Sequence, residues 1–576
     1  MKKIFFAFLL ATFLIPGVSL AQAPKFEWVR PIVGNYAPDD PGAETYDFKT
    51  DQAGNTYLFG NLYGDDLNFG GGIKLTNTDE SGTIFLAKIK PNGAAAWATT
   101  ITTSQDLTGF TFGYYAPGLA LDDEGNIFIS GTMESDTLSF GNNITLVRDC
   151  SDCSHIFVAR YNNDGIAQWV SAITGEEGAR QEGGKIAVSG NDIYLTGKCE
   201  GPVVNFGGNL SFVDLKSNGF FMEKLSAMNG QAAWVKFLTP ESGTSRGYQV
   251  KTTPSGEAWV VGIYYDSKID FGNNLTLDLF HETSGQNYFL AKYSAAGIPL
   301  EAVNINSTSY MSILDMAVDA QFGGVYLVCD YSDSLFTSNL PVTNVGEYGS
   351  SLLYYIGTDV VSLLDVPYEG EGYGITAVAS APDGDFYASG FYEDETLLVG
   401  DTLLPNAGCF DSYLYKGNLS SGREWVRSVG GLGCEAIISP YYGQSLDLNA
   451  KGDLYATGAY IMGMQIDGTI RFGSGLLVGR LKSETVAVND PIASQPDFSI
   501  TPNPTSGAFQ IHIGEQSNAN NGWLVIHDMQ GREVCSQTVN APIMEVNQAL
   551  AAGAYSVSFF TERHVVRKKL VVQSGR

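Results

Sequence analysis

The sequence predicts an all-β protein whose main body is a seven-bladed β-propeller closed by its own N-terminal strand. Three observations carry that expectation. The composition combines 67 glycines and 12% aromatic residues with only 16% charged residues, which suits short strands, tight turns and rings filling the layers between sheets. One segment recurs seven times along the chain, and one tryptophan strand, around Trp28, stands before the first repeat without a turn of its own.

Residues 1–23 read as a secretory signal. Lys2 and Lys3 precede the apolar run 4–15, followed by Pro16, Gly17 and small residues around Ala21 and Ala23. That run is shorter than the roughly 18 apolar residues a membrane span needs, and no later stretch reaches that length. A soluble exported protein is expected, with no transmembrane segment.

The repeats occupy 24–482. Each has a strand that opens on an aromatic residue (Tyr57, Phe128, Tyr194, Trp259, Tyr326, Tyr387, Tyr455) and closes on Gly60, Gly131, Gly197, Gly262, Cys329, Gly390 or Gly458. The aromatic column recurs about every 66 residues, the regime of repeat architectures. Twelve residues further on lie Phe69-Gly70, Phe140-Gly141, Phe206-Gly207, Phe271-Gly272 and, more weakly, Val399-Gly400. A third column is a strand ending in a base, as at Lys88, Arg160 and Lys292; turns with Gly93 and Gly165 then lead to Trp97 and Trp169, and Trp234 and Trp425 extend the column. Two hairpins per repeat follow. In the second repeat the four strands fall at 118–121, 127–132, 156–160 and 167–173, the content of one blade.

The seventh repeat stops after its third strand, 476–481, while residues 26–33 resemble 424–430. The N-terminal strand is therefore expected to complete the last blade and remove two open sheet edges. The fourth and fifth repeats break the pattern, with Leu300 and Glu301 where tryptophan is due and no clear Phe-Gly in the fifth.

The formal charge is −29, and residues 497–576 hold six of the 62 acidic and six of the 33 basic residues, so the acidic excess lies upstream. Such a surface repels polyanions and argues against nucleic acid, leaving cationic ligands, neutral glycans or divalent ions as compatible partners. Seven cysteines in an exported chain leave at least one unpaired. Cys150 and Cys153 read as a local loop disulfide or inert thiols; against a zinc half-site or redox pair stand the lack of a second CxxC and a single nearby histidine, His155.

No catalytic, cofactor or metal residue is assigned. Only His155 and His281 fall in the repeats, and neither a GxSxG nor an HExxH motif occurs. The acidic segments 51–55 and 122–126 read as hairpin turns rather than calcium loops, lacking the alternating acids of an EF-hand. The aromatic and tryptophan columns read as packing between blades. Residues that break the pattern, Tyr114-Tyr115, Tyr264-Tyr265 and Tyr441-Tyr442, are the candidates for ligand contact.

Two resemblances complete the reading. The run Gly125 to Gly131 with Phe140, Gly141, Gly165 and Trp169 resembles the bacterial SBBP propeller repeat, over roughly 26–482. After a Pro-containing linker, 483–496, the residues Phe498, Pro502, Asn503, Pro504 and Gly507, then Leu524, Asp528, Gly531 and Arg532, then Gly553 and Tyr555, then Arg567, Lys568 and Lys569 are similar to the type IX secretion system C-terminal sorting domain. That resemblance implies a small Ig-like β-sandwich over 497–576, recognised by outer-membrane secretion machinery and removed from its cargo, in a member of the Bacteroidota. The sorting signal it implies comprises Pro502, Asn503, Pro504, Gly507, Gly531, Gly553, Tyr555, Arg567, Lys568 and Lys569. Pro502 and Pro504 would fix an extended entry, Gly507 permit a turn, and the basic end engage an acidic partner.

The expected function is a secreted or cell-surface, non-enzymatic propeller that binds a macromolecule, a glycan or a protein, across one face. Two readings from other classes stand beside it: a polysaccharide-degrading enzyme with acidic residues in the channel, and a structural component of the envelope or of adhesion.

Overall fold

The computed structural model describes residues 23–573 apart from 36–41, 78–82, 104–116, 208–209, 239–242, 266–267, 280–285, 308, 338–340, 358, 369–372, 382, 407–409, 431–433, 437–444, 462–463, 468, 472–473, 483–497, 506–507, 514–521, 529–532, 540, 547–549 and 561–564. The signal segment, the linker, Tyr114-Tyr115, Tyr441-Tyr442, His281, Gly507 and Gly531 thus lie outside the described residues. Among the described residues all regular structure is strand, and the architecture is propeller-like.

The first repeat folds as an antiparallel meander of Ala43–Thr50, Thr56–Leu62, Thr83–Ile89 and Ala95–Thr103. The second repeats it with Gly118–Leu121, Ile127–Met133, His155–Tyr161 and Ala167–Gly175. Later repeats keep this order, as in Ser245–Thr252, Ala258–Tyr265, Gln286–Tyr293 and Pro299–Ser307. The seventh supplies Leu446–Leu448, Leu454–Ile461 and Gly475–Leu481. Its fourth place is taken by the N-terminal strand Trp28–Asn35, which pairs antiparallel with Gly475–Leu481 from Trp28↔Arg480 to Val33↔Gly475. First strands of successive repeats lie beside one another, and Leu446–Leu448 lies beside Ala43–Thr50.

The Phe-Gly column forms a hairpin that reaches back onto the preceding sheet. Asp66–Gly70 with Ile73–Thr76 extends the sheet of Trp28–Asn35, and Thr137–Gly141 with Ile144–Val147 extends that of Ala95–Thr103. Asn142 and Asn143 turn it at φ 52° and 59°, the left-handed conformation a two-residue hairpin turn demands and asparagine tolerates. The phenylalanine is inside: Phe140 meets Phe157 edge-on, ring centroids 5.2 Å apart. The fifth repeat keeps the device without the motif, because Val325–Thr337 and Pro341–Ile356 run on as one long hairpin that pairs with Pro299–Ser307 at Ile305↔Thr337.

The other columns are stereochemical requirements at fixed register. Gly60, Gly131, Gly197, Gly262 and Gly390 sit opposite Phe85, Phe157, Phe221, Phe289 and Tyr413. A Cβ there would run into those rings, so glycine leaves the space in which the ring lies across the strand. The fifth repeat confirms the logic by exchange: Cys329 replaces glycine, and its partner shrinks to Ser351. The opening aromatic packs on the tryptophan of the same sheet, as Tyr57 on Trp97 at 6.4 Å, and Tyr455 takes Trp28 from the N-terminal strand at 6.3 Å. The base of the third strand lies over that ring, with Lys88 5.1 Å from Tyr57 and Arg480 5.7 Å from Tyr455. Trp28, Trp97, Trp169 and Trp234 also cover a turn of the next repeat, lying over Gly93, Gly165, Gly230 and Gly297; Trp97 Nε1 donates to the Asn163 carbonyl at 3.1 Å and Trp28 Nε1 to that of Pro91 at 3.0 Å.

The acidic turns are spent internally. Asp51 accepts bonds from the backbone N–H and side-chain amide of Asn55 at 2.8 and 2.7 Å, and Asp122 does the same for Asn126. Downstream, two sheets, one of Phe498–Thr501, Phe509–Ile513 and Ile543–Val546 and one of Glu533–Val539, Gly522–Asp528, Gly553–Phe560 and Val565–Val572, enclose a core of Phe498, Ile511, Leu524, Ile526, Val557, Phe559 and Leu570.

Candidate functional site

The first strands of all seven repeats line one axial cavity of about 330 Å³. Its wall is set by the residue opposite each opening aromatic. That position holds alanine at Ala120, Ala187, Ala317 and Ala379, but Lys49, Lys251 and Asp447 in the other three repeats. The layer beyond carries Asp47, Lys185, Gln249 and Asp315. The axis of a strongly acidic protein therefore holds three lysines against three aspartates.

Much of this charge staples one repeat to the next. Asp47 accepts from the Leu119 N–H at 3.0 Å, Asp315 from that of Val378 at 3.0 Å and Asp447 from that of Thr50 at 2.6 Å. Lys185 reaches Asp47 at 3.2 Å and donates to the carbonyls of Tyr46 and Pro117 at 3.0 and 2.9 Å. Burial, with Lys49 beside it, pushes the Lys251 amine down to about 8, and burial pushes the Asp315 and Asp447 carboxyls up. Each of these carboxylates thus anchors the first strand of another repeat.

Lys185 and Gln249 also line a second pocket of about 320 Å³, at the end of the sheets where first strands begin and second strands finish. Arg246 and Tyr248 come from Ser245–Thr252, Tyr265 from the end of Ala258–Tyr265, Gln286 and Tyr288 from the start of Gln286–Tyr293, and Tyr310 precedes Met311–Val318. Tyr248 lies nearly parallel to Tyr288, centroids 6.4 Å apart at 26°, with the Arg246 guanidinium 5.9 Å from the Tyr248 ring. Tyr288 is buried; its hydroxyl donates to the Met311 carbonyl at 2.9 Å and accepts from the Gln286 amide at 2.8 Å. Tyr310, 48% exposed, forms the rim. Flat ring faces beside a guanidinium and side-chain amides are what a sugar ring stacks on and bonds to.

Of the tyrosine pairs singled out in the sequence, Tyr265 lines this pocket and Tyr264 does not. Successive residues of a strand face opposite sides, and Tyr264 is buried, its hydroxyl within hydrogen-bond distance of the Asp278 carbonyl at 2.7 Å and Asn304 Oδ1 at 2.8 Å. Sequence reasoning missed Arg246, Tyr248, Gln286, Tyr288 and Tyr310. It also missed the axial lysines, although Lys49, Lys251 and Asp447 all stand eight residues before the aromatic, where Ala120 and Ala379 stand in other repeats.

The sorting-signal residues are distributed around the C-terminal sandwich. Asn503 docks on the last strand, donating to the Lys569 carbonyl at 2.6 Å and accepting from the Val571 N–H at 2.9 Å, and the flanking Pro502 and Pro504 are exposed. Gly553 opens Gly553–Phe560, and Tyr555 is buried with its hydroxyl donating to the Ala551 carbonyl at 2.7 Å. Arg567 lies in Val565–Val572, where Lys568 sits 5.7 Å from the Phe498 ring and Lys569 is exposed.

No curated protein matches the chain. Among solved structures it is similar to a fungal alcohol oxidase of the AA5 family in complex with copper, at 11% identity and TM-score 0.36 over 96% of this chain and 100% of that one. It is also similar to the β-propeller domain of the Trilobed protease from Pyrococcus furiosus, described as having an open velcro topology, at 9% identity and TM-score 0.35 over 76% and 96%. A third is a Pyrococcus horikoshii acylaminoacyl peptidase, at 9% identity and TM-score 0.36 over 84% and 60%. At these scores the likenesses carry no argument about this chain. Residues 499–573 match the secretion system C-terminal sorting domain, so the chain ends in a type IX sorting tail, the mark of a secreted or cell-surface protein that engages the secretion machinery.

Proposed function

We propose that this is a secreted or surface-displayed glycan-binding protein whose seven sheets form a propeller of SBBP repeats closed by Trp28–Asn35. A signal segment, 1–23, opens the route, and the propeller spans 24–482. The linker 483–496 joins it to a sorting domain, 497–576, whose sorting signal, comprising Pro502, Asn503, Pro504, Gly507, Gly531, Gly553, Tyr555, Arg567, Lys568 and Lys569, is read by the type IX machinery of a member of the Bacteroidota.

The tyrosine pocket carries the glycan reading: four rings with Arg246 and Gln286, in a pocket that shares Lys185 and Gln249 with the cavity lined by the first strands. The acidic balance of the chain favours neutral or amine-bearing sugars over polyanionic ones. The test is binding of the full chain to arrayed polysaccharides, with Tyr248→Ala, Tyr265→Ala and, as a distant control, Lys74→Ala. Each tyrosine variant is expected to weaken binding about tenfold, the equivalent of about 1.4 kcal/mol, with the control unchanged. Binding that ignores both tyrosines overturns the pocket assignment, and shortening of the bound polysaccharide overturns the non-catalytic reading.

A further inference from the structure

We propose that the loop 149–155 is a redox-gated metal site, which takes a zinc-class divalent ion when Cys150 and Cys153 are reduced. In the structure the two sulfurs form a disulfide. His155 is 1% exposed and directs Nε2 at both of them, 3.7 Å from Cys150 Sγ and 3.6 Å from Cys153 Sγ. The three donor atoms lie within 4.8 Å of one another, and Asp149 brings Oδ1 to 3.8 Å from the same nitrogen. Two thiolates and an imidazole make a three-donor, sulfur-rich set of the kind zinc favours, and the fourth position is left to solvent or to the exposed Asp149 carboxylate.

The shape of the loop does not depend on the sulfur–sulfur bond. Glu177 accepts from the Ser151 N–H at 3.0 Å, the Ser151 hydroxyl at 2.6 Å and the Asp152 N–H at 3.0 Å. Arg148 donates to the carbonyls of Ser151 and Cys153 at 3.3 and 3.0 Å and is itself held by Asp136 at 2.9 Å. The Ser154 hydroxyl donates to the Gln181 carbonyl at 2.8 Å, and the backbone N–H groups of Ser154 and Gly178 donate to the carbonyls of Ala179 and Asp152 at 3.1 and 2.8 Å. These bonds keep Cys150 and Cys153, whose Cα atoms are 5.9 Å apart, facing the imidazole after reduction. The donors of a metal site are thus held convergent by supporting contacts of their own.

Loading balances in two steps. A dithiol gives two electrons and two protons to the Cys150–Cys153 bond, closing into its own disulfide and leaving two thiols. The ion then binds both sulfurs as thiolates and two protons pass to solvent. In the oxidised loop the sulfurs bond each other and the site is shut.

The experiment reduces the full chain with dithiothreitol, removes the reagent without air, and titrates Co²⁺ followed by Zn²⁺. A thiolate-to-cobalt charge-transfer band is expected at one ion per chain, lost on adding Zn²⁺ and absent from the oxidised chain. The double variant Cys150→Ser, Cys153→Ser should bind at least roughly tenfold more weakly. In the unaltered chain Zn²⁺ should shield Cys150 and Cys153 from alkylation while leaving the labelling of Cys199, Cys329 and Cys535, which lie outside this loop, unchanged. No band, an equal band in the oxidised chain or the double variant, or no shielding of Cys150 and Cys153 overturns the proposal.

Discussion

Replacing Ile32 by aspartate is expected to lower the stability of the chain by about 3–5 kcal/mol. Ile32 is fully buried and pairs with Leu476, in a cluster with Leu58, Leu67, Phe85 and Val478. It lies in the N-terminal strand, and its neighbours come from the first repeat and from the seventh. An unpaired carboxylate there has to be neutralised or expose the whole seam. Ile32→Val, which removes one methylene from the same place, is expected to cost only about 1 kcal/mol. Denaturant unfolding of the two variants checks this. If Ile32→Asp is as stable as Ile32→Val, the pairing of Trp28–Asn35 with Gly475–Leu481 does not hold the molecule together.

Glu223→Met should have a large effect of opposite sign. Glu223 is fully buried against Ile156, Val158, Ile173, Phe206 and Leu225, and neither carboxyl oxygen has a hydrogen-bond partner among the described residues. The equivalent position, two residues after the phenylalanine of the third strand, is alanine at Ala87, Ala159 and Ala291. Burial raises the carboxyl well above its ordinary value, so the folded chain holds the proton at pH values where the unfolded chain has released it. Its stabilising share is therefore full below the unfolded value of about 4.3 and is lost as pH rises towards the folded one. Methionine fills a similar volume without polar atoms. At pH 7 the variant should be more stable by about 2 kcal/mol, and the fall in stability from pH 5 to 8 should become shallower. Chemical unfolding across that range decides; an unchanged slope would mean that Glu223 finds a partner in solution.

The fold was legible because each repeated column answers one geometric demand. Glycine opposite a third-strand ring, tryptophan over the next repeat's turn and a base over the opening aromatic all recur at fixed offsets, so even the leftover Trp28 could be matched to Gly475–Leu481. Breaks in a column read less easily, since Cys329 makes sense only once Ser351 is known to face it. The pocket was mostly hidden. Its residues come from Lys185 in the third repeat through Ile313 in the fifth, brought together by sheet packing that no single segment records. Tyr264-Tyr265 drew notice as a pair, but the alternation of strand faces gives one to the core and the other to the pocket. The axial lysines were visible as departures from alanine, had the repeats been aligned on the opening aromatic.

As proposed above, the C-terminal sandwich is an export tag on a propeller that works outside the cell. Mass spectrometry of culture fluid and cell surface, comparing the native chain with one ending at Pro496, tests it most directly. The native protein is expected outside the cell without residues 1 to about 23 and without its sorting domain, and the truncated chain is expected to be held in the periplasm. Equal export of both, with the C-terminal residues intact on the native protein, would contradict it.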